Sequence, residues 1–153
     1  MAELAYPPRT PVQNLRIVTA PWIVVRALRI TGSTDELVIR SGRDESEGNE
    51  DVPCIRLGTL GCCRLRVAVN AGSRSVSVYA KQPVTGQPRP RLVVRSNAEI
   101  GLAQDLTQTA ASGADWVEIG PITFTASQRG GVWVELWNPS VGWPCWFDDL
   151  TLA

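Results

Sequence analysis

The chain has 153 residues, of which fifteen are Lys or Arg and fifteen Asp or Glu, so the formal net charge is zero, and 44% of residues are hydrophobic. This is enough apolar material for one domain with its own core, which excludes a disordered chain, and a nucleic-acid binder would carry a basic excess that is absent here. There is no histidine, which excludes Ser-His-Asp and Cys-His triads and every histidine-ligated metal site.

Residues 1–13 read as an extended, proline-rich arm (Pro7, Pro8, Pro11) ahead of a domain over 14–153. The arm's large apolar groups are chiefly Leu4 and Tyr6. Folding them back would bury too little surface to offset the ordering of some ten residues at about 1–2 kcal/mol each. Docking on another chain is therefore expected, with assembly ordering the arm. No basic region followed by an apolar core appears at the start, so a signal peptide is not expected. The longest apolar run, 20–30, contains Pro21, Arg26 and Arg29 and is too short to cross a bilayer, so no membrane insertion is expected.

Residues 15–19 and 22–31 read as the first strands, interrupted by Pro21. The second is apolar on both parities, with Arg26 intruding beside Trp22, Val24, Leu28 and Ile30. Turn chemistry at 32–35 precedes a short strand at 37–40. The charged run 41–51 reads as a surface loop; Asp44, Glu45, Glu47, Asn49 and Asp51 also offer hard-oxygen ligands to calcium, at a spacing that does not match an EF-hand. A strand is expected at 53–57. Another at 64–70 turns Leu65, Val67 and Val69 inward and Arg64, Arg66 and Asn70 outward. After the turn at 71–73, residues 75–81 alternate in the same way, and the two strands predict a hairpin. Residues 82–90 are a proline-rich loop and 91–96 a strand. Residues 97–113 fit either a short strand or one helical turn.

The densest pattern lies at the C-terminus. Ile122, Phe124 and Ala126 alternate with threonines over 116–126. Gly130-Gly131 reads as the following turn. Over 132–137, Val132, Val134 and Leu136 take one face and Trp133, Glu135 and Trp137 the other, and the chain closes on a strand at 147–152. No helix longer than about two turns is expected, and eight to ten short strands between Gly/Pro turns predict an all-β, single-domain sandwich.

Four cysteines, Cys54, Cys62, Cys63 and Cys145, read as small buried hydrophobes with free thiols, or as one bridge from Cys145 to Cys62 or Cys63. Trp133, Glu135 and Trp137, with Trp143 and Trp146 just beyond, are the candidate contact residues for a ligand or partner. Indoles on a sheet face stack on sugar rings, with a neighbouring carboxylate to accept hydroxyl hydrogen bonds. They also anchor protein interfaces or pack in cores. Glu118, Glu135, Asp148 and Asp149 supply carboxylates, but no pair is marked out for two-carboxylate glycoside hydrolysis, which needs two facing one cleft. Glu118 and Glu135 would approach each other if their strands paired. Asp148, on the parity of Trp146, Leu150 and Leu152, is expected to face the core and to need hydrogen bonds or a cation such as Arg26.

A tryptophan opening a strand that ends in Phe-Thr-Ala, a glycine turn, V-x-V-E-L-W-N and a closing W-F-D-D-L-T-L together resemble the C-terminal half of the carbohydrate-binding-module and galactose-binding-like jelly-roll superfamily. The strands at 65–69, 76–80 and 91–95 follow in that family's order, so the resemblance runs from about Gly61 onward. It implies a jelly-roll β-sandwich without catalytic activity. It also implies that the closing pair Asp148 and Asp149 is structural, or in some members touches calcium; no other cofactor is expected. The expected role is a structural or decoration subunit of a larger assembly, on a bacteriophage virion surface or appendage, with copies of itself or a capsid protein as partners. That expectation places the protein on a virion or other extracellular particle surface. The alternative is a carbohydrate-binding module that recognises a glycan through its aromatic face.

Overall fold

The computed structural model describes residues 17–19, 23–31 and 55–153. The arm at 1–13, with Leu4, Tyr6, Pro7, Pro8 and Pro11, the strand expected at 37–40, the acidic run 41–51 and Cys54 lie outside them.

Among the described residues ten strands and one 3-10 turn alternate along the chain: β1 (Ile17–Thr19), β2 (Ile23–Thr31), β3 (Ile55–Leu57), β4 (Cys62–Val69), β5 (Gly72–Lys81), β6 (Arg91–Val94), the turn Ala98–Ile100, β7 (Leu106–Thr109), β8 (Val117–Ala126), β9 (Gly130–Trp137) and β10 (Cys145–Leu152). One sheet runs β1-β10-β5-β8, with β3 also paired to β10; the other runs β2-β4-β9-β6-β7. All pairs are antiparallel except β1 with β10. The architecture is the expected all-β jelly-roll sandwich. Residues 97–113 supply both alternatives, the 3-10 turn and then β7.

Alternation builds the core. Leu65, Val67 and Val69 of β4, Val76, Val78 and Ala80 of β5, and Val132, Val134 and Leu136 of β9 are buried together with Ile119, Ile122 and Phe124 of β8 and Phe147, Leu150 and Leu152 of β10. Their intervening neighbours stand on the outer faces, as period-two geometry requires.

Three expectations are corrected. β4 and β5 form no hairpin: β4 pairs with β2 and β9, whereas β5 pairs with β10 and β8. The short connection at 70–71 arches from one sheet to the other, so the two apolar faces meet across the core instead of side by side. Gly130-Gly131 is not the turn; both glycines lie inside β9, opposite Val69 and Ala68, and residues 127–129 make the bend. Asp148 does not share the parity of Leu150 and Leu152. Asp149 adopts φ 52°, and a register shift lies between Asp148 and Thr151, so this bulge resets the alternation. Asp148 stands opposite Tyr79, on the outer-face parity, and is nevertheless fully buried.

Candidate functional site

β9 is the central strand of the β2-β4-β9-β6-β7 sheet, and its outward row carries Trp133, Glu135 and Trp137. Register sets their neighbours. On the β4 side Arg66 stands opposite Trp133, Arg64 opposite Glu135 and Cys62 opposite Trp137. On the β6 side Val93 faces Glu135 and Arg91 faces Trp137, while the Arg95 backbone N–H donates to the Trp133 carbonyl at 2.8 Å.

Glu135 is the node of this face. It is only 1% exposed, and both of its oxygens are occupied. Oε1 accepts from Trp137 Nε1 at 2.7 Å and from Arg95 Nε at 2.9 Å; Oε2 accepts from Arg64 Nε at 2.8 Å. Burial pushes its carboxyl pKa up, but the hydrogen bonds from Arg95 and Trp137 and the charges of Arg95 and Arg64 outweigh burial and hold it below the ordinary carboxylate range. Arg95 reaches onward, donating from Nη1 to Asp105 Oδ2 at 2.8 Å. Asp105 also accepts from the Ser96 backbone N–H at 2.7 Å, and that bond, then the one from Arg95, depresses its pKa. The expected role of Glu135 as an open hydroxyl acceptor is therefore corrected. It is a clamp that fixes two guanidinium groups and one indole.

Trp133 is held from the other strand. The Arg64 guanidinium carbon lies 4.9 Å from its ring centroid and that of Arg66 5.8 Å, both within cation–π range. Gly131 makes room for this: a Cβ there would lie 2.5 Å from the Arg66 guanidinium. Trp133 and Trp137 both remain half-exposed.

The other expected site residues lie elsewhere. Trp146 belongs to β10, in the opposite sheet, with the Arg56 guanidinium 5.8 Å from its ring. Lys81, opposite Trp146 across β5, has its ammonium 6.0 Å from the Trp116 ring, so cations and indoles alternate across that outer face. Trp143 sits on the β9–β10 loop. There Asn138 Nδ2 donates to the carbonyls of Leu57, Gly58 and Trp143 at 3.1, 3.0 and 2.9 Å, and Ser140 Oγ accepts from the Trp143 backbone N–H at 3.1 Å. This fixed loop displays Val141 and Trp143, 77% and 47% exposed, beside Leu60 at 53%, whose N–H donates to the Ser140 carbonyl.

Glu118, on β8, stands opposite Tyr79 in one sheet while Glu135 is in the other, so their strands do not pair. No group of three or more His, Cys, Asp or Glu side chains suited to a metal occurs among the described residues, Asp148 and Asp149 included. Cys62, Cys63 and Cys145 are buried free thiols, and burial drives the thiol pKa values of Cys63 and Cys145 far upward.

No family model matches the chain, and no curated protein matches it. Solved structures do. The CBM22-1 xylan-binding domain from Paenibacillus barcinonensis aligns at 10% identity and TM-score 0.51, covering 88% of this chain and 86% of that one. The enzymatically active domain of tailspike protein 4 from bacteriophage CBA120 aligns at 10% identity and TM-score 0.50, over 87% of this chain and 19% of that one. The carbohydrate-binding module TmCBM61, solved with β-1,4-galactotriose, aligns at 12% identity and TM-score 0.44, over 88% of each chain. At these identities the likeness is one of fold.

Proposed function

We propose that this protein is a non-catalytic glycan-binding module whose binding surface is the outer face of the β2-β4-β9-β6-β7 sheet. The observation that carries the reading is the Trp133–Glu135–Trp137 row. Two half-exposed indoles stand four residues apart on one face of the central strand, a span of about 13 Å, which suits an extended oligosaccharide. Glu135 occupies Arg64, Arg95 and Trp137 with its buried carboxylate. The surface is therefore organised before any ligand arrives, and little side-chain freedom is lost on binding. The fold shared with a xylan-binding domain supports the same reading. Glu135 and Asp105 are both ion-paired with depressed pKa values, whereas a glycosidase needs one carboxylic acid held protonated.

The test is affinity electrophoresis through gels containing soluble polysaccharides, followed by calorimetry on whichever one retards the protein. Trp133→Ala and Trp137→Ala should each weaken binding about tenfold or more, which is about 1.4 kcal/mol. If no glycan retards the protein, or if both variants bind as the parent does, the reading fails.

A second reading, a structural subunit of a phage particle, draws on the fold shared with a tailspike domain and on the rigid apolar tip formed by Leu60, Val141 and Trp143. On that reading, deleting residues 2–11 abolishes incorporation into the particle while leaving the isolated domain's thermal midpoint nearly unchanged. Normal incorporation of the truncated chain would remove it.

A further inference from the structure

On the glycan-binding reading, and resting on it, the chemistry of the same face specifies the ligand more narrowly. Along β4, β9 and β6, register brings together four guanidinium groups, Arg64, Arg66, Arg91 and Arg95, against the carboxylates of Glu135 and Asp105. Both carboxylates are already engaged. Glu135 is buried with both oxygens accepting hydrogen bonds, and Asp105 is held by Arg95 and the Ser96 N–H.

The arginines are not all matched in return. Arg66 stacks beside Trp133 over the space left by Gly131, and neither it nor the exposed Arg91 forms a hydrogen bond or ion pair with a described residue. Arg64 engages Glu135 through Nε alone. Guanidinium and indole groups donate hydrogen bonds and accept none. Among the described residues the charged and aromatic side chains around the two indoles therefore present donors with a surplus of positive charge, and the acceptors left on the face are chiefly the hydroxyls of Thr107 and Thr109 at the β7 edge. A neutral sugar presents hydroxyl donors as well as acceptors and would find few acceptors here. A planar carboxylate fits an arginine fork in bidentate fashion and carries the complementary charge.

We propose that the ligand is an acidic glycan, a chain containing hexuronate residues, with Arg66 and Arg91 taking its carboxylates while Trp133 and Trp137 support the sugar rings. Arg66 takes the larger share, because among the described residues it is the cation without a hydrogen bond or ion pair that lies nearest an indole.

The probes are polygalacturonate, the same polymer after reduction of its carboxyl groups to neutral sugars, neutral xylan and galactan, dextran sulfate and a single-stranded oligonucleotide. Binding to polygalacturonate should fall at least tenfold on carboxyl reduction and at least tenfold in Arg66→Gln. Arg66→Lys should recover only part of it, because an ammonium keeps the charge and loses the fork, and affinity should fall with added salt. Thermal midpoints of the variants, checked alongside, should stay within a few degrees of the parent, since among the described residues Arg66 has no ion-pair partner to lose and only its contact with the Trp133 ring. If xylan, galactan or the reduced polymer binds as tightly as polygalacturonate, the acidic assignment is overturned and the glycan reading stands. If dextran sulfate, which is acidic but carries no uronate, or the oligonucleotide binds equally well, the face is a general polyanion surface and the carboxylate assignment is overturned. If no glycan binds at all, both readings fail together.

Discussion

At the scale of single residues, Glu135 matters most because it is charged, buried and triply bonded. Replacing it with glutamine keeps its volume but removes the charge that Arg64 and Arg95 answer. The expected cost is about 1.5–3 kcal/mol, the range for hydrogen bonds to a charged group, read as a fall of several degrees in thermal midpoint. The pH dependence has a definite sign. The folded state holds this carboxyl below its ordinary range, so on acidification the unfolded chain takes up the proton first. Glu135 therefore contributes fully above the usual glutamate value of about 4.3, and its contribution disappears as the pH falls through the lower folded value. The midpoints of parent and Glu135→Gln should be well separated at pH 7 and converge as the pH falls below the usual glutamate value. Parallel curves would show that folding does not lower the pKa of this carboxyl.

At the scale of elements, what the sequence reveals is a face, and what it hides is a neighbour. Alternation in β4, β5, β8 and β9 separates Leu65, Val76, Phe124 and Val134 from their outward partners, because burial on one side leaves a period-two record. Nothing in that record distinguishes a hairpin from an arch across the core, so the hairpin expected of β4 and β5 is absent. The row Trp133, Glu135 and Trp137 is legible within one strand. Its partners Arg64, Arg66, Arg91 and Arg95 are not, since they arrive through the registers of β4 and β6, and an outward arginine on a strand is by itself ordinary. Asp148 escapes the pattern because one bulge at Asp149 inverts the parity behind it. The glycines also separate by what surrounds them. At Gly131 a methyl group meets the end of the flexible Arg66 side chain. Gly131→Ala should accordingly keep the midpoint within a few degrees while displacing the guanidinium and weakening ligand binding. At Gly120, φ is 104° and an added Cβ would lie 2.7 Å from the Val76 carbonyl oxygen. Gly120→Ala should cost about 1–3 kcal/mol, the scale of local backbone strain, seen as a lower urea midpoint at unchanged slope. A variant as stable as the parent would contradict that close approach.

At the scale of the whole molecule, both sheets close on one core, and Cys62, Cys63 and Cys145 are buried in the two sheets as free thiols. Because those thiols are buried and those of Cys63 and Cys145 strongly resist ionisation, a disulfide-exchange reagent added to the folded protein should label them only when the sandwich opens. Titration under denaturing, non-reducing conditions should count four free thiols, Cys54 included; a count of two would mean a bridge. Under native conditions, labelling of Cys62, Cys63 and Cys145 that is independent of reagent concentration at high reagent would report the opening rate itself, whereas their immediate labelling would contradict their burial. The protein thus carries its own clock. Ligands that occupy the outer face of β9 can be ranked by how far they slow the labelling of Cys63 and Cys145, with no fluorophore, tag or knowledge of the ligand's identity.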